Sequence, residues 1–450
     1  MQGITITDLT FDFQRWSKEL NRIIFNPSIT WVHGDTFLIC ARAIRRSKEL
    51  RARDAEGQEM PIDRANPDPR YNPQHPWLGG PNTPTWWQGQ EDTSLLFVAR
   101  MKSDGSIQVE QFWGELGPRS CKDEDDFCDV RGLKVSPIID ARLFRKGIVM
   151  KQDGTLDHVD FFVTGNDFIG RDNDFGRDRF PAMRWGLLTM YGNGRIRVRM
   201  SDYQFLCDNK VHGRSEKNWN FFNYISPSTG VEWNVISYKI APQFEMLGFR
   251  NSDSSFTKPQ RCEWLHVETM QFQDVFGEFT KNYTSGGKEI AAISLSTPSY
   301  PYPTVEGKQR YISVGHVKID YKMLFARKTK DDPLYETIMN DFKESHVHPI
   351  FIYYGYMYTF TVTEESNSKL TVEIRTVSPL FMVDGYEKRA LCFPSGLALT
   401  DGQVVAISYG EADIKAKVVT MSLAEFIAYC SISAKEMSHS KTWPTMVVGR

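Results

Sequence analysis

Residues 216–219 of this 450-residue chain read Glu-Lys-Asn-Trp, which places a carboxylate, an ammonium group and an amide side by side just before an aromatic pair. Such polar groups are costly to bury unless each has a partner. In a strand, Glu216 and Asn218 would face one side of the sheet and Lys217 the other. This pattern is typical of a polar pocket with a cation for an anionic ligand. For such a tetrad taken alone, a charged turn before an aromatic strand remains the default explanation.

Four further clusters could carry chemistry. They are Asn26-Pro27-Ser28 leading to Arg42, Asp140-Ala141-Arg142, a strand from Tyr311 that ends in His316, and Ser408-Tyr409-Gly410 followed by Glu411 and Asp413. Each also has a purely structural explanation: an ion pair at a strand end, a buried histidine whose hydrogen bonds are satisfied, or carboxylates that cap a turn. The order of the whole set favours a ligand site.

Together these clusters resemble the inverting β-mannoside phosphorylases, a glycoside hydrolase family of five-bladed β-propellers, and the related trypanosomatid β-mannosyltransferase/phosphorylases. The family pattern runs through Asn-Pro, Glu-Asp-Pro-Arg, Glu-Lys-Asn-Trp, Arg-Gly-Gly-Thr-Pro, a strand ending in His, and Ser-Tyr-Gly-x-x-Asp. The chain follows that order from Asn26 to Asp413. It departs in two places, with Ile139-Asp140-Ala141-Arg142 for the second element and Leu295-Ser296-Thr297-Pro298 for the fourth. We expect these departures to accompany a change of donor or acceptor sugar.

The resemblance implies inverting phosphorolysis of a β-linked hexose, with mannose expected, or the reverse reaction. Inverting glycosidases need an acid and a base, whereas a phosphorylase uses phosphate as nucleophile and needs only the acid. By resemblance, the acid is Asp140 and the phosphate contacts are Arg42, Lys217 and His316. Residues expected to bind the sugar are Asn26, Arg142, Glu216, Asn218, Tyr409 and Asp413. The partners are then a sugar or oligosaccharide with phosphate, a sugar phosphate or a nucleotide sugar, and no cofactor or metal is expected.

Three other functions stay open. A nucleotide-sugar-dependent transferase could use the same scaffold with Asp140 as base. A propeller could bind glycans without turning them over; the lost Arg-Gly-Gly element favours this, whereas the retained Asp140 and Lys217 argue against it. A plain hydrolase is the fourth reading, and the phosphate-type cations speak against it.

The elements that must position these residues are mainly strands. Eight runs rich in β-branched and aromatic residues are predicted strands: 36–44, 93–101, 158–165, 195–201, 232–241, 310–319, 349–362 and 403–410. Turn signals such as Asp104-Gly105 and Asp153-Gly154 separate them, and helices are predicted only at 332–346 and 422–430. We therefore predict an all-β, five-bladed propeller formed by residues 1–450 as one domain. It has a short N-terminal extension, a long loop at 53–89 that carries three tryptophans, and a C-terminal tail with a helix at 420–450.

Composition limits the class of protein. The formal net charge of −2 does not indicate the excess of basic residues that is typical of nucleic-acid binding. No apolar run approaches the roughly 20 residues of a membrane helix. The seven cysteines have no metal-ligand or disulfide-framework spacing. We expect a soluble cytoplasmic protein with reduced thiols, and leave homo-oligomerisation open.

Overall fold

The computed structural model describes residues 3–20, 22–45, 52–53, 59–60, 92–116, 127–129, 138–169, 180–200, 218, 220–241, 245–250, 275–305, 308–327, 332–342, 351–365, 369–383, 392–411 and 415–449. Most of these residues lie in β-strands, and the helices are short. The all-β class predicted from the sequence is confirmed.

The eight predicted strands are all present, and tight turns connect several of them. Gly105, Gly154 and Gly194 adopt φ values of 84°, 79° and 82°, which glycine accepts at little steric cost. In the first two turns the preceding aspartate accepts a hydrogen bond from the backbone N–H two residues further on. These local bonds explain why the Asp-Gly signals mark hairpins correctly.

The first part of the chain forms a four-stranded antiparallel sheet, sheet 1, of order β2-β3-β6-β7. The elements are β1 (Thr5–Asp8), α1 (Thr10–Glu19), β2 (Arg22–His33), β3 (Thr36–Arg45), the short pair β4 (Ala52–Arg53) and β5 (Glu59–Met60), β6 (Asp92–Met101) and β7 (Ile107–Glu115).

Two further sheets follow. Sheet 2 has the order β8-β12-β11-β10-β9, with β8 parallel to β12, and sheet 3 has the order β13-β14-β15. Their strands are β8 (Phe127–Asp129), β9 (Ile139–Met150), β10 (Leu156–Ile169), β11 (Phe180–Tyr191), β12 (Ile196–Met200), β13 (Asn220–Ile225), β14 (Glu232–Lys239) and β15 (Glu245–Arg250).

Sheet 4 is the largest sheet of the described residues. Its main path is β18-β20-β21-β22-β27, and β19, β23 and β28 attach beside it. The elements up to its end are α2 (Gly277–Asn282), β16 (Thr284–Ser285), β17 (Lys288–Glu289), β18 (Ala291–Leu295), β19 (Tyr300–Val305), β20 (Lys308–Asp320), α3 (Tyr321–Arg327), α4 (Pro333–Phe342), β21 (Phe351–Glu365), β22 (Lys369–Val377) and β23 (Leu380–Val383).

Sheet 5 joins the first strand of the chain to three late strands, because β1 is its outer strand in the order β1-β26-β25-β24. The N-terminal segment expected as an extension is thus part of a sheet. The remaining elements are β24 (Cys392–Leu399), β25 (Val404–Glu411), β26 (Lys415–Ser422), α5 (Leu423–Tyr429), β27 (Ile432–Ser433), α6 (Ala434–Ser438) and β28 (Thr445–Val448).

Each sheet contacts the next one along the chain. Strand β2 contacts β9, β9 contacts β13, β14 contacts β18, and β20 contacts β24. Strand β24 also contacts β2, so the contacts return from sheet 5 to sheet 1.

Aromatic side chains fill the spaces between sheets. Phe221 of β13 stacks on Phe162 of sheet 2, with ring centroids 4.8 Å apart. Its neighbour Phe222 faces the other way and packs on Tyr311 of sheet 4, with centroids 4.9 Å apart. Alternation along a strand therefore explains the aromatic pair that follows Glu-Lys-Asn-Trp, since each ring packs against a different neighbouring sheet.

Both predicted helices are confirmed as α4 and α5. Ser422 and Glu425 form a capping box at the start of α5, and Asp332 accepts the backbone N–H of Leu334 at the start of α4. Helix α1 was not predicted; it has no side-chain bond from its N-cap Leu9. No helix in the described part of the chain is long and apolar enough to span a membrane.

Candidate functional site

Three of the predicted site residues have a left-handed backbone conformation. The φ angles are 46° at Asn26, 52° at Asp140 and 66° at Asn218. Among the described non-glycine residues only Gln403, in a tight turn, shares a positive φ. Asn26 lies in β2, Asp140 lies in β9, and Asn218 lies just before β13. Asn and Asp tolerate this conformation best, and strained backbone at such positions points to a functional role.

The local strand pairing explains two of these conformations. Phe25 pairs with Arg42 and Pro27 with Ala41, so Asn26 is an extra residue in a β-bulge. Strand β9 has a similar register shift around Asp140. A bulge turns a side chain away from the regular alternation, which here redirects the amide and the carboxylate.

The carboxylate of Asp140 forms an ion pair with Arg42. Arg42 Nη1 donates to Asp140 Oδ2 at 3.0 Å, with 20% and 19% of the two side chains exposed. The guanidinium of Arg42 also lies over the ring of Phe25, 5.5 Å from its centroid. A predicted phosphate contact and the predicted acid are therefore in direct contact, and both are partly open to solvent.

Arg142 lies beside the same carboxylate residue. Its Nη1 donates to the backbone carbonyl of Asp140 at 3.3 Å, and its Nε donates to the carbonyl of Ser296 at 3.0 Å. Only 3% of Arg142 is exposed. Burial lowers its pKa and the charge of Asp140 opposes this shift, but a guanidinium stays charged at neutral pH. The site therefore holds a second cation.

His316 joins this group through Ser296. Its Nδ1 lies 2.6 Å from Ser296 Oγ, and its ring packs 4.9 Å from the ring of Phe393. Burial, with the nearby charges of Arg142 and Lys318, lowers the pKa of His316 to about 3. The imidazole is therefore neutral at physiological pH and can contribute a hydrogen bond but no charge.

The late Ser-Tyr-Gly motif supports the early Asn-Pro motif. A Cβ atom at Gly410 would overlap the side chain of Asn26. The hydroxyl of Ser408 donates to the carbonyl of Pro27 and accepts the backbone N–H of Ile29 at 3.1 Å. Strand β25 thus fixes the bulge of β2 that carries Asn26.

The side chains of Tyr409 and Glu411 have buried environments of their own. Tyr409 is 1% exposed and belongs to a hydrophobic core cluster, and burial raises the pKa of its hydroxyl. Glu411 forms a buried ion pair with Lys417. Tyr409 is therefore not among the residues that contact Asp140 or His316 in the described part of the chain.

The structure brings Arg42, Asp140, Arg142 and His316 together. The side chain of Asn26 lies against Gly410. For Asn218 the structure shows the left-handed backbone conformation given above. Glu216, Lys217 and Asp413 lie outside the described residues, as do the tryptophans of the 53–89 loop.

Sequence reasoning missed two residues of this group. Ser296 contacts both Arg142 and His316, and it lies in the stretch that departs from the family pattern. Phe393 lies against His316 and Arg142, whose guanidinium carbon is 5.4 Å from the ring centroid. Its sequence neighbours gave no signal for this position.

The arrangement suits an anionic ligand next to a proton-donating group. Arg42 pairs with the carboxylate of Asp140, Arg142 donates to the backbone carbonyl of the same residue, and a neutral imidazole adds a hydrogen bond. Within the described ranges, no group of three or more His, Cys, Asp or Glu side chains is placed to hold a metal ion.

No family model and no curated protein matches the chain. Solved structures similar to it include a mannose phosphorylase from Leishmania mexicana with a TM-score of 0.38 and 7% identity, covering 92% of this chain and 87% of that one. A β-1,2-mannobiose phosphorylase from Listeria innocua has a TM-score of 0.38 and 12% identity, covering 96% and 94%. A GDP-Man-dependent mannosyltransferase from Leishmania mexicana has a TM-score of 0.37 and 9% identity, covering 93% and 89%.

The resemblance read from the motifs is thus confirmed: carbohydrate-active enzymes of the expected kinds are among the structures similar to this chain. At these identities and TM-scores the likeness is remote and carries no inference about activity.

Proposed function

We propose that residues 1–450 form one five-bladed β-propeller. Five successive, mainly antiparallel sheets support this architecture, as do the contacts that lead from each sheet to the next and from sheet 5 back to sheet 1. The pairing of β1 with β26 would then complete the last blade with the first strand of the chain. In this architecture β2, β9, β13 and β24 would surround the axis, where the left-handed residues Asn26, Asp140 and Asn218 would meet.

We also propose that the protein is an inverting glycoside phosphorylase that acts on a β-linked hexoside, with mannose as the first sugar to test. The observation that carries this proposal is the carboxylate of Asp140, which is 19% exposed and paired with Arg42. Arg142 donates to the backbone carbonyl of the same residue, and neutral His316 is joined to Arg142 through Ser296. A hydrolase would need a second carboxylate as base. Among the described residues, the carboxylate that contacts Arg42 is that of Asp140, and cations beside an acid suit phosphate as the nucleophile instead.

In the proposed reaction a phosphate oxygen forms a bond to the anomeric carbon as the glycosidic C–O bond breaks. The proton of Asp140 reaches the leaving oxygen through a hydroxyl of the substrate. Arg42 and Arg142 would neutralise the phosphate and hold it in line for attack. Run in reverse, the same residues would build the β-linkage from a sugar 1-phosphate.

The ion pair of Arg42 explains how phosphate could prepare the acid. In the free protein the guanidinium stabilises the ionised carboxylate of Asp140. A bound phosphate would compete for Arg42 and place negative charge near Asp140, and both effects favour the protonated carboxyl group. Phosphate binding should therefore be accompanied by proton uptake.

A thermal-shift screen followed by a product assay tests this function. Phosphate, mannose 1-phosphate and glucose 1-phosphate should raise the melting temperature. A ligand at a hundredfold its dissociation constant adds about 2.7 kcal/mol. Arg42→Ala should abolish the phosphate effect, and Arg100→Ala, a more exposed arginine that also forms ion pairs, should leave it unchanged. NMR of the product should show the α-anomer of the sugar phosphate.

Other outcomes would point to the alternatives. Stabilisation by GDP-mannose or another nucleotide sugar alone, with transfer to an acceptor, would make the protein a transferase on the same scaffold. Glycan binding without turnover, unaffected by Asp140→Asn, would make it a binding propeller.

We propose a cytoplasmic location as well. Cys40, Cys392 and Cys430 are buried free thiols, and burial raises the pKa of Cys40 to about 12. Such thiols are unreactive and are compatible with a reducing compartment.

A further inference from the structure

Ser296 lies in a short segment that bulges out of sheet 4. Strand β18 pairs with β20 up to Leu295 opposite Gly315, and β19 resumes the pairing with Tyr300 opposite Ile312. Residues 296–299 thus lie opposite residues 313–314, so the segment carries extra residues. A bulge of this kind displaces backbone and side chain from the sheet.

The neighbouring residue Thr297 fixes the bulge. Its backbone N–H donates to the carbonyl of Val314 at 3.1 Å, and its hydroxyl accepts the N–H of Val314 at 3.0 Å. Ser313 adds a hydrogen bond to the carbonyl of Thr297 at 3.2 Å. Ser296 is therefore held in one place and is 0% exposed.

From this place Ser296 contacts two site residues at once. Its carbonyl accepts Nε of Arg142 at 3.0 Å, and its hydroxyl lies 2.6 Å from Nδ1 of His316. One residue therefore orients both a cation and the neutral imidazole of the site.

The direction of the Ser296–His316 bond follows from the satisfaction of buried hydrogens. Among the described residues, the Ser296 hydroxyl has no other hydrogen-bond partner. If Nδ1–H donated to Oγ, the hydroxyl hydrogen would be buried without an acceptor, which is unfavourable. If the hydroxyl donates to Nδ1, its hydrogen is satisfied and the ring proton must be on Nε2.

We propose that Ser296 is a positioning residue that holds His316 as the neutral tautomer protonated on Nε2, so that the ring donates a hydrogen bond to a ligand oxygen. No partner for Nε2 is found in the part of the chain that the structure describes. The low pKa of His316, about 3, keeps Nδ1 free to accept. The ring then selects phosphate or sugar oxygens and offers no lone pair to a metal ion. The identity of the ligand rests on the function proposed above, but the tautomer does not.

The tautomer is measured on the full-length protein labelled with ¹⁵N-histidine. The resonance absent from His316→Gln identifies this ring among the nine histidines. We expect Nδ1 in the range of an unprotonated nitrogen and Nε2 in the range of a protonated one, without ligand. The opposite assignment in the wild-type protein would overturn the proposal, and this holds whether or not any variant folds.

A variant series tests the role in binding. Ser296→Ala should give a mixture of His316 tautomers and weaken phosphate binding by about two- to tenfold, the worth of one net hydrogen bond. Ser296→Thr should keep the Nε2–H tautomer of His316 and the wild-type affinity for phosphate, because threonine retains the hydroxyl. Ser299→Ala, a buried serine of the same segment, is the matched control and should change neither. An unchanged tautomer and phosphate affinity in Ser296→Ala would refute the positioning role.

The two proposals fail in different ways. If the wild-type protein shows the Nε2–H tautomer but binds no phosphate, the proposed function is wrong and the role of Ser296 in setting the tautomer stands.

Discussion

The Nη1 atom of Arg42 lies 3.0 Å from the Oδ2 atom of Asp140, although 98 residues separate the two in the chain. The contact joins β3 of sheet 1 to β9 of sheet 2. Because both side chains are largely buried, removing one partner leaves a charge without compensation. In the proposed function the same pair would link the binding of an anion to the protonation of Asp140.

Replacing Asp140 by asparagine should separate chemistry from binding. We expect Asp140→Asn to lower kcat by about 10²- to 10⁴-fold, the usual contribution of a general acid. Phosphate should bind at least as tightly, because Arg42 no longer has a competing carboxylate. Steady-state kinetics and phosphate titration measure the two effects.

The matched control is Asp160→Asn. Asp160 lies on β10 of the same sheet and accepts a hydrogen bond from Thr189, with 26% of its side chain exposed. Its replacement should leave kcat within about twofold, since it contacts none of the site residues described above. Full activity of Asp140→Asn would show that another residue supplies the proton.

The left-handed conformation of Asn218 should matter for function more than for stability. Glycine accepts its φ of 66°, so Asn218→Gly should change the free energy of unfolding by less than about 1 kcal/mol. The loss of the amide should lower kcat/KM by about tenfold, the effect of one lost hydrogen bond.

Gln403→Gly provides the comparison for Asn218. Gln403 has a φ of 60° in the turn before β25, so glycine relieves the same conformation outside the candidate site. We expect equal or higher stability and unchanged kinetics. Equal kinetics for both variants would remove Asn218 from the substrate contacts.

Gly410 should be required because of its close approach to Asn26. In Gly410→Ala the new methyl group would overlap the amide of Asn26, which should cost about 1–3 kcal/mol of stability and displace a predicted substrate contact. Gly402→Ala, in the same sheet, is the control: its Cβ would lie 3.6 Å from the hydroxyl of Thr400, an ordinary contact. Denaturant unfolding and KM for the sugar distinguish the two variants.

The buried neutral state of His316 predicts how stability depends on pH. Its pKa is about 3 in the folded protein, against an ordinary value of 6.5. Between these values the unfolded chain binds a proton that the folded chain does not, so this contribution is present above pH 6.5 and is lost as the pH falls toward 3. The slope approaches about 1.4 kcal/mol per pH unit for one proton.

Urea unfolding between pH 4 and 7 measures this slope. His316→Gln should reduce it by about one proton, whereas His33→Gln, on an exposed histidine, should follow the wild-type protein. A His316→Gln protein with the wild-type slope would contradict the buried neutral state.

Strands, turns and two helices could be predicted from the sequence because their signals are local. β-branched runs, Asp-Gly turns and the caps Ser422 and Asp332 act over a few residues. Helix α1 was missed because its support is distant: Phe13 and Trp16 pack on Phe97 of β6, with ring centroids 4.7 and 5.3 Å away. Tertiary contacts override weak local preference in such a segment.

Part of the candidate site could also be predicted from the sequence. Asp140, Arg42, Arg142 and His316 were found through motif order, and the structure places them together. The role of Ser296 could not be predicted, since it depends on a bulge whose extra residues are visible only once β20 is paired on both sides. The burial of Tyr409 could not be predicted either, because it follows from packing between sheets.

The pairing of β1 with β26 has a consequence for biosynthesis. Thr10 and Ala416, hydrogen-bonded beside this pairing, are 406 residues apart, so sheet 5 cannot be completed until almost the entire described chain has left the ribosome. Until then β1 has no partner in the sheet, and an unpaired strand can pair with other chains. A nascent chain of this protein would therefore carry an unpaired first strand until late in synthesis. A variant that lacks residues 1–8, and therefore β1, should aggregate although every residue discussed at the site is intact.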